Sequence, residues 1–146
     1  MKFYGSYVIV SFIALVVAQV DAFSSGFHIT AVGYPSGSGP PQYVACPSDF
    51  YNCGCWISGG DQGTVIGQPY SLGNFFQLNA GFCGQSVLDF IQADDGTYGI
   101  YVNNANGPSL GTCYANSAPS GTCDGNGFTY SINDQLVCYS DICAAF

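Results

Sequence analysis

Residues 86–102, SVLDFIQADDGTYGIYV, contain the clearest structural signal in the chain. Two largely apolar runs, at 86–92 and 97–102, flank the turn sequence ADDG at 93–96. Alternate side chains in each run are apolar, as expected for a strand with one buried face. Asp-Gly between two such runs is a strong signal for a β-hairpin. This stretch therefore predicts two antiparallel strands.

The same period of two recurs on both sides of the hairpin. Further β candidates lie at 27–32, 42–45, 55–57, 64–66, 75–78, 111–114, 128–132 and 136–139. Gly, Asn and Pro separate them, and YPSGSGPP at 34–41 excludes regular structure there. A short helical turn at 72–78 is the most helix we expect. Strands about ten residues apart predict an all-β, small, disulfide-rich antiparallel sandwich or barrel.

Residues 1–22 have the pattern of a secretory signal peptide. Lys2 supplies the positive charge, an apolar run of 12 residues follows at 7–18, and Val20 and Ala22 suit cleavage before Phe23. The run is shorter than the ~20 residues of a membrane-spanning helix. We therefore expect a secreted, extracellular protein with a single domain at 23–146.

The charge balance excludes several classes of partner. The chain has nine acidic residues against one Lys or Arg, giving a net charge of −8. The single base, Lys2, lies in the predicted signal peptide, so the secreted part has no Lys or Arg with which to neutralise phosphates. We therefore expect no nucleic acid, nucleotide phosphate or membrane partner.

The cysteines predict a disulfide framework. All eight follow the predicted signal peptide, at Cys46, Cys53, Cys55, Cys83, Cys113, Cys123, Cys138 and Cys143. An even number in an oxidising compartment predicts four disulfides, with about 105 pairings open. GTC occurs at 111–113 and at 121–123 around a short loop, so Cys113 with Cys123 is the one pair we predict. The Cys53-Gly54-Cys55 spacing does not fit a zinc knuckle, and we expect no metal and no cofactor.

The carboxylates offer a hydrolytic alternative. Eight Asp follow residue 22, at Asp49, Asp61, Asp89, Asp94, Asp95, Asp124, Asp134 and Asp141. A glycosidase needs two carboxyl groups about 5–10 Å apart, and Asp89 with Asp94 or Asp95 is the candidate pair. The interpretation we favour has no catalytic residue. It places Asp94 and Asp95 in the turn, Asp124 and Asp134 in loops, and Asp89 at the solvent. The acidic turns do not match a calcium-binding loop, although a weak calcium site is a minor alternative.

Histidine and the aromatic residues complete the candidate sites. His28 is the single histidine and no G-x-S-x-G motif accompanies it, so we interpret it as a polar-face residue of the first strand. Trp56, Tyr98 and Tyr101 are the candidate glycan contacts, since aromatic rings combine an apolar face with a polar edge. The opposing interpretation is core packing, because Trp56 adjoins two cysteines and Tyr98 shares a strand face with Ile100.

Four cysteine-bearing segments cover most of the predicted domain. They are 41–56 (PQYVACPSDFYNCGCW), 83–102 (CGQSVLDFIQADDGTYGIYV), 111–114 (GTCY) and 134–143 (DQLVCYSDIC). With the signal peptide, they resemble the small secreted cysteine-rich proteins of filamentous fungi, many of which are effector candidates. The chain lacks the Cys-Cys doublets of hydrophobins, and its cysteines spread through β-like sequence, unlike those of haem-binding eight-cysteine domains.

The resemblance implies an effector-like or wall-associated protein. We expect a non-enzymatic monomer that acts through surface contacts, with an unknown protein or a wall polysaccharide as its partner. The alternative is a small acidic polysaccharide-binding protein, or a hydrolase that uses an Asp pair.

Overall fold

The computed structural model describes most of the predicted domain, at residues 26–34, 39–59, 62–67, 70–102, 105, 107–118 and 120–144. The predicted signal peptide at 1–22 and Asp61 lie outside these residues. The described chain has one short α-helix, α1 (Cys53–Ser58), and three 3₁₀ turns, at Ser48–Phe50, Phe82–Gly84 and Asp141–Cys143. Its strands are β1 Phe27–Gly33, β2 Gln42–Pro47, β3 Gly63–Ile66, β4 Phe75–Leu78, β5 Leu88–Gln92, β6 Tyr98–Val102, β7 Gly111–Ala115, β8 Gly121–Gly125 and β9 Phe128–Ser140.

Eight of the strands form a closed antiparallel barrel. β1 to β7 pair in chain order, β7 pairs with β9, and β9 pairs back with β1. Closure gives both edges of the sheet a hydrogen-bonding partner. The predicted class, a small disulfide-rich all-β protein, is confirmed, and of the two predicted architectures the barrel is the one formed. The predicted hairpin at 86–102 is β5–β6.

The longest strand, β9, pairs with three others. β1 lies along one edge, whereas β7 and β8 pair one after the other along the opposite edge. β8 and β9 form a hairpin, whose turn residues Asn126 and Gly127 have φ of 53° and 80°. Asn-Gly favours this conformation, a signal that the sequence analysis did not use. Because β9 runs without a break from Phe128 to Ser140, the prediction of separate strands at 128–132 and 136–139 is wrong. β8 was not predicted.

A β-bulge on β9 changes which side chains face outward. Ile29 of β1 is opposite Leu136, but the next residue, Thr30, is opposite Asp134, so Gln135 is an extra residue. An extra residue reverses the alternation of faces along a strand. Leu136 packs in the barrel interior. Asp134 consequently points out of the barrel, on the same face as Thr30.

The barrel interior holds the main hydrophobic core. Phe90 is fully buried, stacks on Phe76 with 4.4 Å between ring centroids, and meets Phe27 edge-on. Phe27 also meets Phe82 edge-on. The core residues are Phe27, Ile29, Ala45, Val65, Phe76, Leu78, Phe82, Cys83, Leu88, Phe90, Tyr98, Ile100, Cys113, Leu136, Cys138 and Cys143. Alternating apolar side chains from every wall of the barrel thus fill its interior.

A second apolar cluster, here called the outer layer, lies between the barrel wall and α1. Its buried members are Val32, Val44, Cys123 and Ile132, and Cys53, Trp56, Ile57 and Tyr130 pack against them. α1 forms because the Asn52 side chain accepts hydrogen bonds from the backbone N–H groups of Gly54 (2.8 Å) and Cys55 (3.3 Å). The predicted strand at 55–57 is therefore wrong, and residues 72–78 contain β4 rather than a helical turn.

The eight cysteines form four disulfides: Cys46–Cys55, Cys53–Cys123, Cys83–Cys143 and Cys113–Cys138. The predicted Cys113–Cys123 pair is wrong. Cys113 is opposite Cys138 on β9, whereas Cys123 is opposite Tyr130. Those two positions on β9 lie eight residues apart, about 26 Å at the usual rise of a strand. A disulfide bridges Cα atoms less than about 7 Å apart, so the two cysteines cannot meet.

Candidate functional site

A cavity of about 330 Å³ opens beside the outer layer and is called the outer pocket here. One wall comes from Tyr51 and from α1, and the other from β9, β8 and the residues just before β8. The lining residues are Tyr51, Cys53, Trp56, Ala118, Gly121, Thr122, Cys123, Ile132 and Asp134. The bulge at Gln135 is what turns the Asp134 carboxylate toward this pocket.

Asp134 has one satisfied and one unsatisfied carboxylate oxygen. Its Oδ2 accepts hydrogen bonds from His28 Nδ1 at 2.8 Å and from Asn116 Nδ2 at 2.6 Å. Because a carboxylate only accepts, Nδ1 of His28 carries the proton. The side chain is 6% exposed, and Oδ1 is buried with no hydrogen-bond partner among the described residues. Asp134 therefore presents a buried acceptor that protein groups leave unpaired.

Tyr51 lies between His28 and Trp56. Its ring stacks on the His28 ring at 4.0 Å and meets the Trp56 ring edge-on at 4.7 Å. Its hydroxyl oxygen is 3.3 Å from Thr30 Oγ1. Burial raises the pKa of Tyr51 to about 12; the Thr30 hydrogen bond opposes this rise, whereas the charge of Asp134 and the hydrogen-bonding interaction of its carboxylate with the Tyr51 hydroxyl add to it. Tyr51 is therefore a neutral phenol across the physiological pH range.

Trp56 contributes the complementary polar atom. Its Nε1 is buried and has no hydrogen-bond partner among the described residues. An indole N–H can only donate, and Asp134 Oδ1 can only accept. The outer pocket is thus lined by two residues that each keep an unpaired polar atom, one donor and one acceptor, next to aromatic and disulfide surface.

A second, more open cavity of about 490 Å³ lies between β7 and the C-terminal part of β9. It is lined by Gly111, Thr112, Tyr114 and Tyr139. The two tyrosine rings meet edge-on at 5.7 Å and are 49% and 43% exposed. This cleft offers aromatic surface on the outside of the barrel, without a buried unpaired polar atom among its lining residues.

The three predicted glycan contacts lie in three different places. Trp56 lines the outer pocket. Tyr98 is 7% exposed in the barrel core, where its hydroxyl donates to the Gly73 carbonyl oxygen and burial raises its pKa. Tyr101 is half-buried on β6, and its ring covers Gly99 so closely that an added Cβ there would meet it at 2.9 Å. Glycan contact by these residues stays a prediction.

Three of the aspartates do not lie where the favoured interpretation placed them. Asp89 is 2% exposed rather than solvent-facing, and it accepts a hydrogen bond from Gln77 Nε2. Asp124 and Asp134 lie in β8 and β9 rather than in loops. Asp95 does occupy the hairpin turn, as predicted, and hydrogen bonds from the Thr97 hydroxyl and backbone N–H lower its pKa.

The sequence analysis identified only part of the pocket. His28 lies on the outer, polar face of β1, as predicted, but its contacts with Asp134 and Tyr51 were not foreseen, nor was the hydrogen bond that Asn116 donates to Asp134. One signal was present: Asn133, Asp134 and Gln135 form a polar break between the two predicted strands 128–132 and 136–139. Such a break inside a longer strand is where a bulge is expected.

The described residues contain neither a metal-binding cluster nor a membrane-spanning helix. Within those ranges, no group of three or more His, Cys, Asp or Glu side chains is placed to hold a metal ion. Among the described elements there is also no helix long and apolar enough to cross a membrane.

Comparison with known proteins gave no match to this chain among family models, curated proteins or solved structures. The resemblance to fungal cysteine-rich proteins therefore rests on the sequence segments alone.

Proposed function

We propose that the protein is a secreted monomer that acts outside the cell by binding a wall polysaccharide, without covalent catalysis, through the outer pocket. One observation carries the proposal: Asp134 Oδ1 and Trp56 Nε1, on two residues that line one cavity, are buried and unpaired. A buried unsatisfied polar group costs about 1–3 kcal/mol, and a ligand that pairs both groups recovers that cost. Unpaired polar groups in an aromatic cavity are typical of binding sites.

The disulfides support an extracellular location. All eight cysteines are bridged, and disulfides persist in oxidising compartments such as the extracellular space. The signal-peptide pattern at 1–22 agrees with that location. An effector-like or wall-associated role is the one that the sequence resemblance implies.

The positions of the aspartates favour binding over hydrolysis. Asp89 is buried against Gln77 in the middle of β5, whereas Asp95 caps the hairpin turn through Thr97. Neither residue lines the outer pocket or the Tyr114–Tyr139 cleft. An Asp-pair hydrolase remains the rival function, and the following experiment separates the two.

The test begins with the full-length chain, expressed in a yeast secretory host. We expect the protein in the medium, with Phe23 at its N-terminus. The secreted protein is then incubated with chitin, β-glucan, cellulose and pectin, and both its depletion from solution and the release of soluble sugar are measured. Depletion by at least one polysaccharide without sugar release is the expected result.

Three variants locate the contact. Asp134→Asn weakens depletion, Asp89→Asn serves as a matched buried carboxylate and leaves it unchanged, and Tyr114→Ala also leaves it unchanged. Sugar release that Asp89→Asn abolishes would overturn the proposal in favour of hydrolysis. Depletion that depends on Tyr114 and not on Asp134 would contradict the site. Absence of depletion by all four materials would exclude the proposed class of partner.

A further inference from the structure

We infer that the outer pocket takes one uncharged sugar ring, and that its walls move enough for one hydroxyl to donate to Asp134 Oδ1 and another to accept from Trp56 Nε1–H, two atoms that are closed to solvent in the structure. The inference rests on the proposed function and names the ligand group that enters the site. It assigns a polar partner to each of the two unpaired atoms. It also implies that a chain end or a branch residue is recognised, because the site is a pocket rather than a flat face.

The pairing of a donor with an acceptor selects hydroxyl groups. An ammonium group only donates, so it leaves the Trp56 N–H unpaired. A phosphate or carboxylate only accepts, so it leaves Asp134 Oδ1 unpaired. A hydroxyl does both, and two hydroxyls on one ring pair both groups at once.

The charges in and around the pocket disfavour an anionic ligand. The carboxylate of Asp134 lines the pocket, and no Lys or Arg follows Lys2 in the sequence. The single histidine, His28, already uses Nδ1 to bind Asp134 Oδ2. An anion in this site would be repelled by the Asp134 carboxylate, and no Lys or Arg side chain would offset that repulsion.

The walls and the size of the pocket suit a sugar ring. The rings of Tyr51 and Trp56, the Cys53–Cys123 disulfide and Ile132 provide apolar surface for the C–H face of a pyranose. A cavity of about 150 Å³ already holds a six-membered ring such as benzene. At about 330 Å³, the outer pocket has room for one such ring with its hydroxyl groups.

The two polar groups are held in place before a ligand arrives. His28 and Asn116 both bind Asp134 Oδ2, which fixes the direction of Oδ1. Trp56 is held by the edge-on contact with Tyr51 and by α1, which Cys46–Cys55 attaches to the barrel strand β2 and Cys53–Cys123 attaches to β8. Neither unpaired atom is accessible to solvent, so the walls of the pocket have to move before a ligand reaches them.

The test is isothermal titration calorimetry of the secreted protein with soluble probes. The sugar probes are the methyl glycosides of glucose, galactose and mannose, together with N-acetylglucosamine. Tetramethylammonium is the cationic probe and methyl phosphate the anionic one. We expect at least one sugar to bind and neither charged probe to do so.

The variants identify the two hydrogen bonds. Asp134→Asn keeps an oxygen for His28 and Asn116 but replaces the unpaired acceptor with an N–H donor, so sugar affinity falls about 10-fold or more. Trp56→Phe keeps an aromatic ring without the N–H and weakens binding about 3- to 10-fold. Asp89→Asn leaves the affinity unchanged. Unfolding midpoints of all variants, measured in parallel, show whether each remains folded.

Each alternative result has a definite meaning. Sugar binding that is equally strong in Asp134→Asn overturns the inference. Tighter binding of tetramethylammonium than of any sugar overturns the ligand class, while the site itself stands. No binding of single sugars, combined with Asp134-dependent depletion by a polysaccharide, overturns the single-ring inference and leaves the proposed function intact. If both tests fail, both proposals fall.

Discussion

The barrel interior and the outer layer bury similar aromatic side chains but satisfy their polar atoms differently. In the interior, Tyr98 donates its hydroxyl to the Gly73 carbonyl, and the surrounding phenylalanines have no polar atoms to satisfy. In the outer layer, Trp56 Nε1 and Asp134 Oδ1 are buried without partners. The interior thus pairs its buried polar atom, whereas the outer layer leaves two unpaired at a cost in stability, which the ligand of the proposed function would recover.

The disulfides of the two regions also have different structural roles. Cys113–Cys138 joins residues that already face each other across β7 and β9. Cys46–Cys55 and Cys53–Cys123 instead attach α1 to β2 and β8. A helix of six residues is too short to be stable in isolation, so α1 depends on these attachments.

The largest expected effect comes from opening a cavity in the interior. Phe90→Ala removes a fully buried ring that contacts Phe27 and Phe76, and we expect it to lower the free energy of unfolding by about 3–5 kcal/mol. Phe75→Ala, on the neighbouring strand β4, is the matched control because Phe75 is 54% exposed. Its effect should stay within about 0.5 kcal/mol. Urea unfolding with the disulfides intact measures both, and equal losses would contradict the assignment of the core.

The next prediction tests how far α1 depends on its disulfide to β8. The double variant Cys53→Ala/Cys123→Ala removes the link between α1 and β8, and we expect a loss of about 2–4 kcal/mol. Amide hydrogen exchange should show faster opening in α1, while protection in β5 follows the global stability. If α1 keeps the same protection as β5, α1 does not depend on this disulfide.

A smaller effect tests how α1 begins. Asn52→Ala removes the side-chain acceptor for the N–H groups of Gly54 and Cys55, which should cost about 1 kcal/mol. Asn52→Asp keeps an acceptor at the same position and should recover most of that loss. Urea unfolding of the three proteins measures this series. Equal stability of the Ala and Asp variants would mean that the disulfides alone fix α1.

The last prediction concerns the dependence of stability on pH. The folded protein holds the Tyr51 proton up to a pKa of about 12, whereas the ordinary tyrosine value is 10.0. The stabilisation is fully present below about pH 10 and is lost as the pH rises toward 12, because the unfolded chain releases its proton first. Tyr51→Phe should therefore lose less stability than the wild type between pH 10 and 12. Parallel stability curves for the two proteins would contradict the environment assigned to Tyr51.

The sequence predicted the barrel strands well because their signals are local. Alternating apolar residues and the Asp-Gly turn at 95–96 placed β5 and β6, and the same alternation placed β1 to β4 and β7. α1 was missed because Cys55, Trp56 and Ile57 resemble a strand when the cap at Asn52 is not considered. β8 was missed because a strand of Gly, Thr, Cys and Asp carries little hydrophobic pattern.

The outer pocket could be predicted only in part, because it depends on contacts between distant parts of the chain. His28 and Asp134 lie 106 residues apart, and their contact requires both the closure of β1 on β9 and the bulge at Gln135. The disulfide pairing also depends on contacts between distant parts of the chain. Cys113 and Cys123 are close in sequence, but successive pairing of β7 and β8 along one edge of β9 places them far apart.

The most direct test of the central claim uses the single tryptophan of the chain. In the ¹⁵N–¹H spectrum of the labelled protein, the indole N–H of Trp56 gives one isolated resonance. We predict that titration with the sugar that binds most tightly shifts this resonance downfield, as a new hydrogen bond forms, and that the shift disappears in Asp134→Asn. A Trp56 resonance that does not move while the sugar binds would contradict the outer pocket as the binding site.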